Sequence, residues 1–162
     1  IIEYFKNKLS INSKTVVLVS GGFDPVHSGH IEYFKSAKQL SNYLIVGLNS
    51  NEWLIRKKQV YFMSWLERAE IIKNLSIVDE VIAFNDDDET AADAIKICLN
   101  KFEEVIFANG GDRGSHNCEE HQIYGENPKV HFKFGVGGIN KLNSSSWIVE
   151  DFLHRYSQAK KS

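Results

Sequence analysis

Short apolar runs alternate with longer amphipathic stretches along this chain. Thr15-Val16-Val17-Leu18-Val19-Ser20 and Tyr43-Leu44-Ile45-Val46-Gly47-Leu48 carry few polar positions, the pattern of strands covered on both faces. Val81-Ile82-Ala83-Phe84, Val105-Ile106-Phe107-Ala108 and Val130-His131-Phe132-Lys133-Phe134 read as three further strands. Between them, Ile31, Phe34, Ala37 and Leu40 repeat at helical spacing and predict a helix over His30–Leu40. Ser64-Trp65-Leu66-Glu67 matches a capping box and opens a helix through Leu66, Ala69, Ile72 and Leu75. Thr90–Leu99 and Ser145–Tyr156 supply two more, residues 1–12 a short amphipathic helix, and the basic tail 157–162 is expected to fray.

Strands alternating with helices predict an α/β fold: a Rossmann-like, doubly wound, mostly parallel five-stranded sheet with helices on both faces. The 162 residues suit one domain over 1–162, and 43% hydrophobic content is ordinary for a globular chain. Nineteen basic against twenty-one acidic residues leave a net charge of −2, which argues for neither nucleic acid nor membrane as a partner. No apolar run approaches the length of a membrane span. Cys98 and Cys118 lack zinc-site spacing and fit free thiols in a reducing compartment, so a cytoplasmic setting is expected.

The candidate chemistry lies where the first strand meets the first helix. Gly21 and Gly22 let the chain turn off the strand end and approach a ligand closely. The helix beyond them offers unpaired N–H groups and a partial positive charge suited to phosphate. His27-Ser28-Gly29-His30 then places two imidazoles at that point. In doubly wound sheets ligands sit outside the carboxyl ends of strands, and Gly110-Gly111, which follows another predicted strand, can line the same crevice.

HxGH in this strand, Gly-Gly, Phe23-Asp24-Pro25, helix setting resembles the signature of the nucleotidyltransferase superfamily that includes cytidylyltransferases and adenylyltransferases. The resemblance continues through Ala37-Lys38-Gln39-Leu40, Leu44-Ile45-Val46-Gly47, Asn49-Ser50, Arg56, Lys58, Leu66-Glu67-Arg68, Val78-Asp79 and Gly110-Gly111-Asp112. It is similar above all to the branch holding heptose-1-phosphate adenylyltransferases and glycerol-3-phosphate cytidylyltransferases. Three segments depart from that branch: the link Gln59–Met63 is shorter and more apolar, Asn109 stands where Lys is usual, and Gly135–Ser146 replaces the usual late Arg-Thr motif.

The resemblance implies transfer of a nucleotidyl group from a nucleoside triphosphate to a phosphorylated small molecule, with release of pyrophosphate. ATP is favoured over CTP, the acceptor is a sugar- or polyol-phosphate, Mg²⁺ rides on the triphosphate, and a homodimer is the expected assembly. A CTP-dependent enzyme acting on a polyol- or choline-type phosphate and a nucleotide-binding module without turnover are the rival readings. Because both reactants are anions, such a site needs cations and N–H donors rather than a nucleophilic Ser or Cys. His27 and His30 are expected at the α-phosphate, where a neighbouring triphosphate favours the imidazolium, and Lys58 on the triphosphate.

Gly21, Gly22, Phe23, Asp24 and Gly29 complete the expected nucleotide loop. Arg68 either joins it or forms a surface ion pair with a neighbouring Glu. Gly110, Gly111 and Asp112 either meet base and ribose or make a plain turn, and Ser144, Ser145 and Ser146 bind β- or γ-phosphate or simply cap the last helix. Arg56 and Lys57 read as solvated loop charges, and Asp86-Asp87-Asp88-Glu89 as a solvent-facing helix N-terminus rather than a metal site. His116, Cys118 and His121 read as loop residues despite their ligand-like spacing.

Overall fold

The computed structural model describes residues 14–111, 113–138 and 144–161. Five strands, β1 (Thr15–Gly21), β2 (Leu44–Leu48), β3 (Glu80–Ile82), β4 (Glu104–Ala108) and β5 (Val130–Lys133), form one sheet in the order β3-β2-β1-β4-β5. Every pairing is parallel. The helices are α1 (Ser28–Lys38), α2 (Asn51–Lys58), α3 (Trp65–Lys73), α4 (Ala92–Leu99), α5 (Glu119–Tyr124) and α6 (Ser145–Ala159).

Side chains of a strand alternate between faces, and β1 sorts its own accordingly. Val17 and Val19 join Phe34 and Ala37 of α1 and Ala69 and Ile72 of α3 in one core layer. Val16 and Leu18 join Ala94, Ile95 and Cys98 of α4, together with Cys118, in the other. The sheet is therefore wound on both faces, as the alternation of elements predicts. β2 is buried at all five positions, which explains why its sequence carries no polar alternation.

The register opens a crevice. β1 pairs with β4 only from Thr15 to Leu18, but with β2 from Val17 to Gly21. Its last three residues thus have no partner on the β4 side, where the strand order reverses and such sheets hold ligands.

Several boundaries differ from the sequence reading. α1 begins at Ser28 because His27 caps it, and β3 stops at Ile82. β5 ends at Lys133. α4 starts at Ala92, after Thr90 accepts from Ala92 N–H through its hydroxyl. Leu66, expected on the apolar stripe of α3, is 75% exposed, and the buried face is Arg68, Ala69 and Ile72. The helix α2 was expected as loop: only Leu54 of its eight residues is buried, so it has little apolar periodicity to read. Ser50 starts it by accepting from Trp53 N–H, and Gln59 ends it with φ of 68°. α6 runs on through Ala159, so the tail expected to fray from 157 is partly helical. The helix expected over 1–12 lies outside the described residues.

Candidate active site

A cavity of about 760 Å³ occupies the crevice at the carboxyl edge of the sheet. Its walls come chiefly from the strand ends and the residues that follow them and from the first turns of α1 and α6, with further side chains from α2 and α5. His27, His30, Lys58, Gly21, Gly22, Phe23, Gly29, Gly110, Gly111, Ser144 and Ser145 all line it. Asp24, Arg68 and Ser146 do not, and Asp112 lies outside the described residues.

The two histidines are locked into the start of α1. His27 Nδ1 accepts from Gly29 N–H at 3.1 Å, and His30 Nδ1 accepts from His27 N–H at 3.4 Å. Together they make a capping box in which imidazoles replace the usual hydroxyl and carboxylate. The rings stack with centroids 3.7 Å apart, and Phe23 meets His30 edge-on at 4.9 Å. With Nδ1 used as an acceptor on both rings, the neutral tautomer carries its proton on Nε2 as an N–H donor. Burial, with repulsion from His27 and Lys58 added, lowers the pKa of His30 to about 3. Without a triphosphate, the protein surroundings hold His30 neutral; the imidazolium expected from the sequence is the one a neighbouring triphosphate would favour.

Close approach explains two glycines. A Cβ on Gly21 would stand 2.8 Å from the Phe23 ring, which folds back over the turn. Gly137, with φ of 83°, passes so near α1 that a Cβ would lie 3.0 Å from Tyr33 Cα. The end of β4 is also tied to α1, since Tyr33 OH donates to Ala108 O at 2.5 Å.

Asp24 and Arg68 support the cavity from behind. Asp24 is 6% exposed and accepts from Phe62 N–H at 2.5 Å and Met63 N–H at 2.7 Å, anchoring the short link before α3. Arg68 is fully buried and donates to Gly22 O at 2.7 Å, Asn49 O at 2.9 Å, Asn51 Oδ1 at 2.9 Å and Met63 O at 3.0 Å. It is neither a surface ion pair nor a cavity residue, but a clamp joining the loops after β1 and β2 to α3. Burial lowers its pKa, opposed by Asp24 and Asp86, and a guanidinium keeps its charge regardless.

The acidic run after β3 faces solvent only in part: Asp87 and Asp88 are exposed, but Asp86 is not. Asp86 is 3% exposed and accepts from Asn49 Nδ2 at 3.0 Å, Ser50 N–H at 2.8 Å and Ser50 Oγ at 2.8 Å. These bonds, with Arg56, lower its pKa against the opposing effect of burial. Arg56 and Lys57 are not loop charges either: they sit on α2 and pair with Glu89 at 2.5 Å and 2.9 Å. Lys58, next in sequence, turns to the cavity.

Of the three serines, Ser144 and Ser145 reach the cavity, but Ser145 Oγ already donates to Pro25 O at 2.9 Å. What α6 offers an anion is therefore chiefly its N-terminal N–H groups, with no acidic residue in the first turn.

Residues not named as candidate site residues also line the cavity. Asn49 follows β2 directly and Asn109 follows β4, so the strand-end rule could have found both. Tyr33, Trp53 and Glu120 carry no such signal. Glu120 lies on α5, a helix where a loop was expected, and it is 2% exposed. Cys118 Sγ contacts Glu120 at 3.2 Å and the His121 ring packs on Phe132, so packing accounts for that ligand-like spacing. Among the described residues, no three His, Cys, Asp or Glu side chains converge as a metal cage. No described helix is long and apolar enough to cross a membrane.

A cavity at the switch point of an all-parallel doubly wound sheet, with two helix N-termini on its wall, defines an α/β protein with a site suited to phosphate. Comparison with known sequences narrows the class. The profile of the cytidylyltransferase-like family matches residues 18–151, and the chain belongs to that family of nucleotidyltransferases. It is 41% identical over 149 residues to the bifunctional protein HldE of Syntrophotalea carbinolica, covering 90% of this chain and 28% of that protein. It is 32% identical over 149 residues to HldE of Pelobacter propionicus, covering 89% of this chain and again 28% of the relative. The chain thus spans under a third of the length of these relatives. The crystal structure of a lipopolysaccharide core biosynthesis protein from Thermoplasma volcanium superposes with a TM-score of 0.57 at 23% identity, over 74% of this chain and 93% of that one, and shows the same fold.

Proposed function

We propose that this nucleotidyltransferase moves a nucleotidyl group from a nucleoside triphosphate, ATP in preference to CTP, to a sugar- or polyol-phosphate. An oxygen of the acceptor phosphate forms a bond to the α-phosphorus. The bond from that phosphorus to the bridging oxygen breaks, and the electron pair leaves with pyrophosphate. The observation that carries the reading is the His27–His30 capping box, which sets two imidazoles at a helix N-terminus on the cavity wall.

The attacking phosphate needs no deprotonation, so catalysis is positioning plus charge stabilisation. His27 and His30 take oxygens of the α-phosphate, Lys58 the growing charge on the leaving pyrophosphate, and the start of α6 its β- and γ-oxygens. Mg²⁺ carried on a triphosphate needs few protein ligands. The cavity carboxylates Glu89 and Glu120 are already in ion pairs, so the phosphates themselves would hold the ion. The likeness to HldE along most of the chain supports a sugar-phosphate acceptor, and the resemblance over Ala37–Asn49 supports ATP.

Pyrophosphate release measured with ATP and with CTP, each against a panel of phosphorylated sugars and polyols, tests the proposal. Turnover with ATP and a sugar phosphate is expected. Turnover with CTP alone would overturn the nucleotide assignment, and binding of triphosphate without turnover on any acceptor would favour the non-catalytic reading.

A further inference from the structure

The cavity has two chemically different walls. The α1 side presents the histidines, on the sheet face where Phe34 and Ala37 pack. The other side, on the face of α4 and Cys118, presents Glu120 and Arg113. Glu120 Oε1 accepts from Ala91 N–H at 2.8 Å, and its Oε2 receives Arg113 Nη1 at 3.2 Å and Cys118 Sγ at 3.2 Å. The backbone N–H holds the carboxylate in place, and the thiol is a weak donor, so the carboxylate retains capacity to accept from a hydroxyl. Arg113 is 45% exposed at its side chain and spends one N–H on Glu120, leaving four for another partner.

A guanidinium paired with a fixed carboxylate suits a molecule that brings both a phosphate and hydroxyls, and the acceptor is such a molecule. In-line displacement requires the attacking oxygen to approach the α-phosphorus from the side opposite the leaving pyrophosphate. With the α-phosphate held at the start of α1, Glu120 stands with Ala91 and Cys118 of the other core layer. One guanidinium for a phosphate beside one carboxylate for a hydroxyl matches the two ends of a phosphorylated polyol or sugar.

We infer that Arg113 and Glu120 form the acceptor subsite: Arg113 binds the attacking phosphate group and Glu120 accepts from a hydroxyl of the same molecule while holding Arg113 in place. This rests on the nucleotidyl-transfer reading and adds to it the residues that select the acceptor.

Steady-state pyrophosphate release with ATP and the best acceptor of the panel tests it. Arg113→Ala is expected to raise the acceptor KM about 10- to 100-fold, the value of a charge-assisted bond, while the ATP KM stays within about twofold. Arg113→Lys should recover only part, since it lacks the fork. Glu120→Gln keeps the acceptor for Ala91 N–H but turns an amide towards Arg113, and should raise the acceptor KM with the folded fraction checked by thermal melting. A KM change confined to ATP, or an unchanged acceptor KM in a folded Arg113→Ala protein, overturns the subsite while leaving nucleotidyl transfer standing. A wild-type protein inactive with every acceptor overturns the transfer reading and the subsite with it.

Discussion

Replacing Arg68 with methionine removes the clamp beneath the active site while roughly keeping side-chain volume. Arg68 makes four hydrogen bonds of 2.7–3.0 Å, three of them to the backbone carbonyls of Gly22, Asn49 and Met63. A bond to a charged donor is worth about 1.5–3 kcal/mol net, and each carbonyl left buried without a donor costs about 1–3 kcal/mol. These costs overlap, Gly22 borders the cavity where water can reach it, and methionine regains apolar contact, so the loss is about 3–5 kcal/mol. For a chain of this size that corresponds to a fall in Tm of about 6–20 °C. Thermal unfolding followed by circular dichroism would measure it, with Leu66→Ala as a control on the same helix, since Leu66 is 75% exposed. Arg68→Lys should recover less than half, because one ammonium cannot span carbonyls from three loops. A Tm loss below about 3 °C for Arg68→Met would refute the clamp.

His30→Ala should cut turnover by about 10²-fold or more while the protein stays folded, as removal of a donor to developing charge does, and near-normal turnover would end its catalytic assignment. Lys58→Ala should slow turnover more than Lys57→Ala, because Lys57 is paired with Glu89 at 2.9 Å whereas Lys58 lines the cavity; equal small effects would count against a role for Lys58. Stability should fall as pH drops from about 6.5 towards 3, since a depressed His30 pKa means the unfolded chain binds the proton first and the folded state gains only above that range. Urea unfolding at pH 7 and pH 5 should therefore show a steeper loss in wild type than in His30→Gln, and identical slopes would contradict it.

Much of this protein is written in local pattern. Apolar runs without alternation mark strands covered on both sides, and the hydroxyl at Ser64 marks the start of α3, because burial period and capping depend on near neighbours in the chain. The position of the crevice follows too, since it must lie beyond strand ends, where Gly21-Gly22 and Gly110-Gly111 stand. Charged residues behave otherwise. Whether Arg68, Asp86, Arg56 or Glu120 faces solvent or is buried is decided by partners far away in sequence: Arg68 finds Gly22, 46 residues earlier, and Glu120 finds Ala91, 29 residues earlier. A charge is buried only when all its bonds are met at once, and that condition is satisfied by packing in three dimensions, not by spacing along the chain. The sheet order, the clamp behind the glycine turn and the carboxylate wall of the cavity belong to the tertiary structure for that reason.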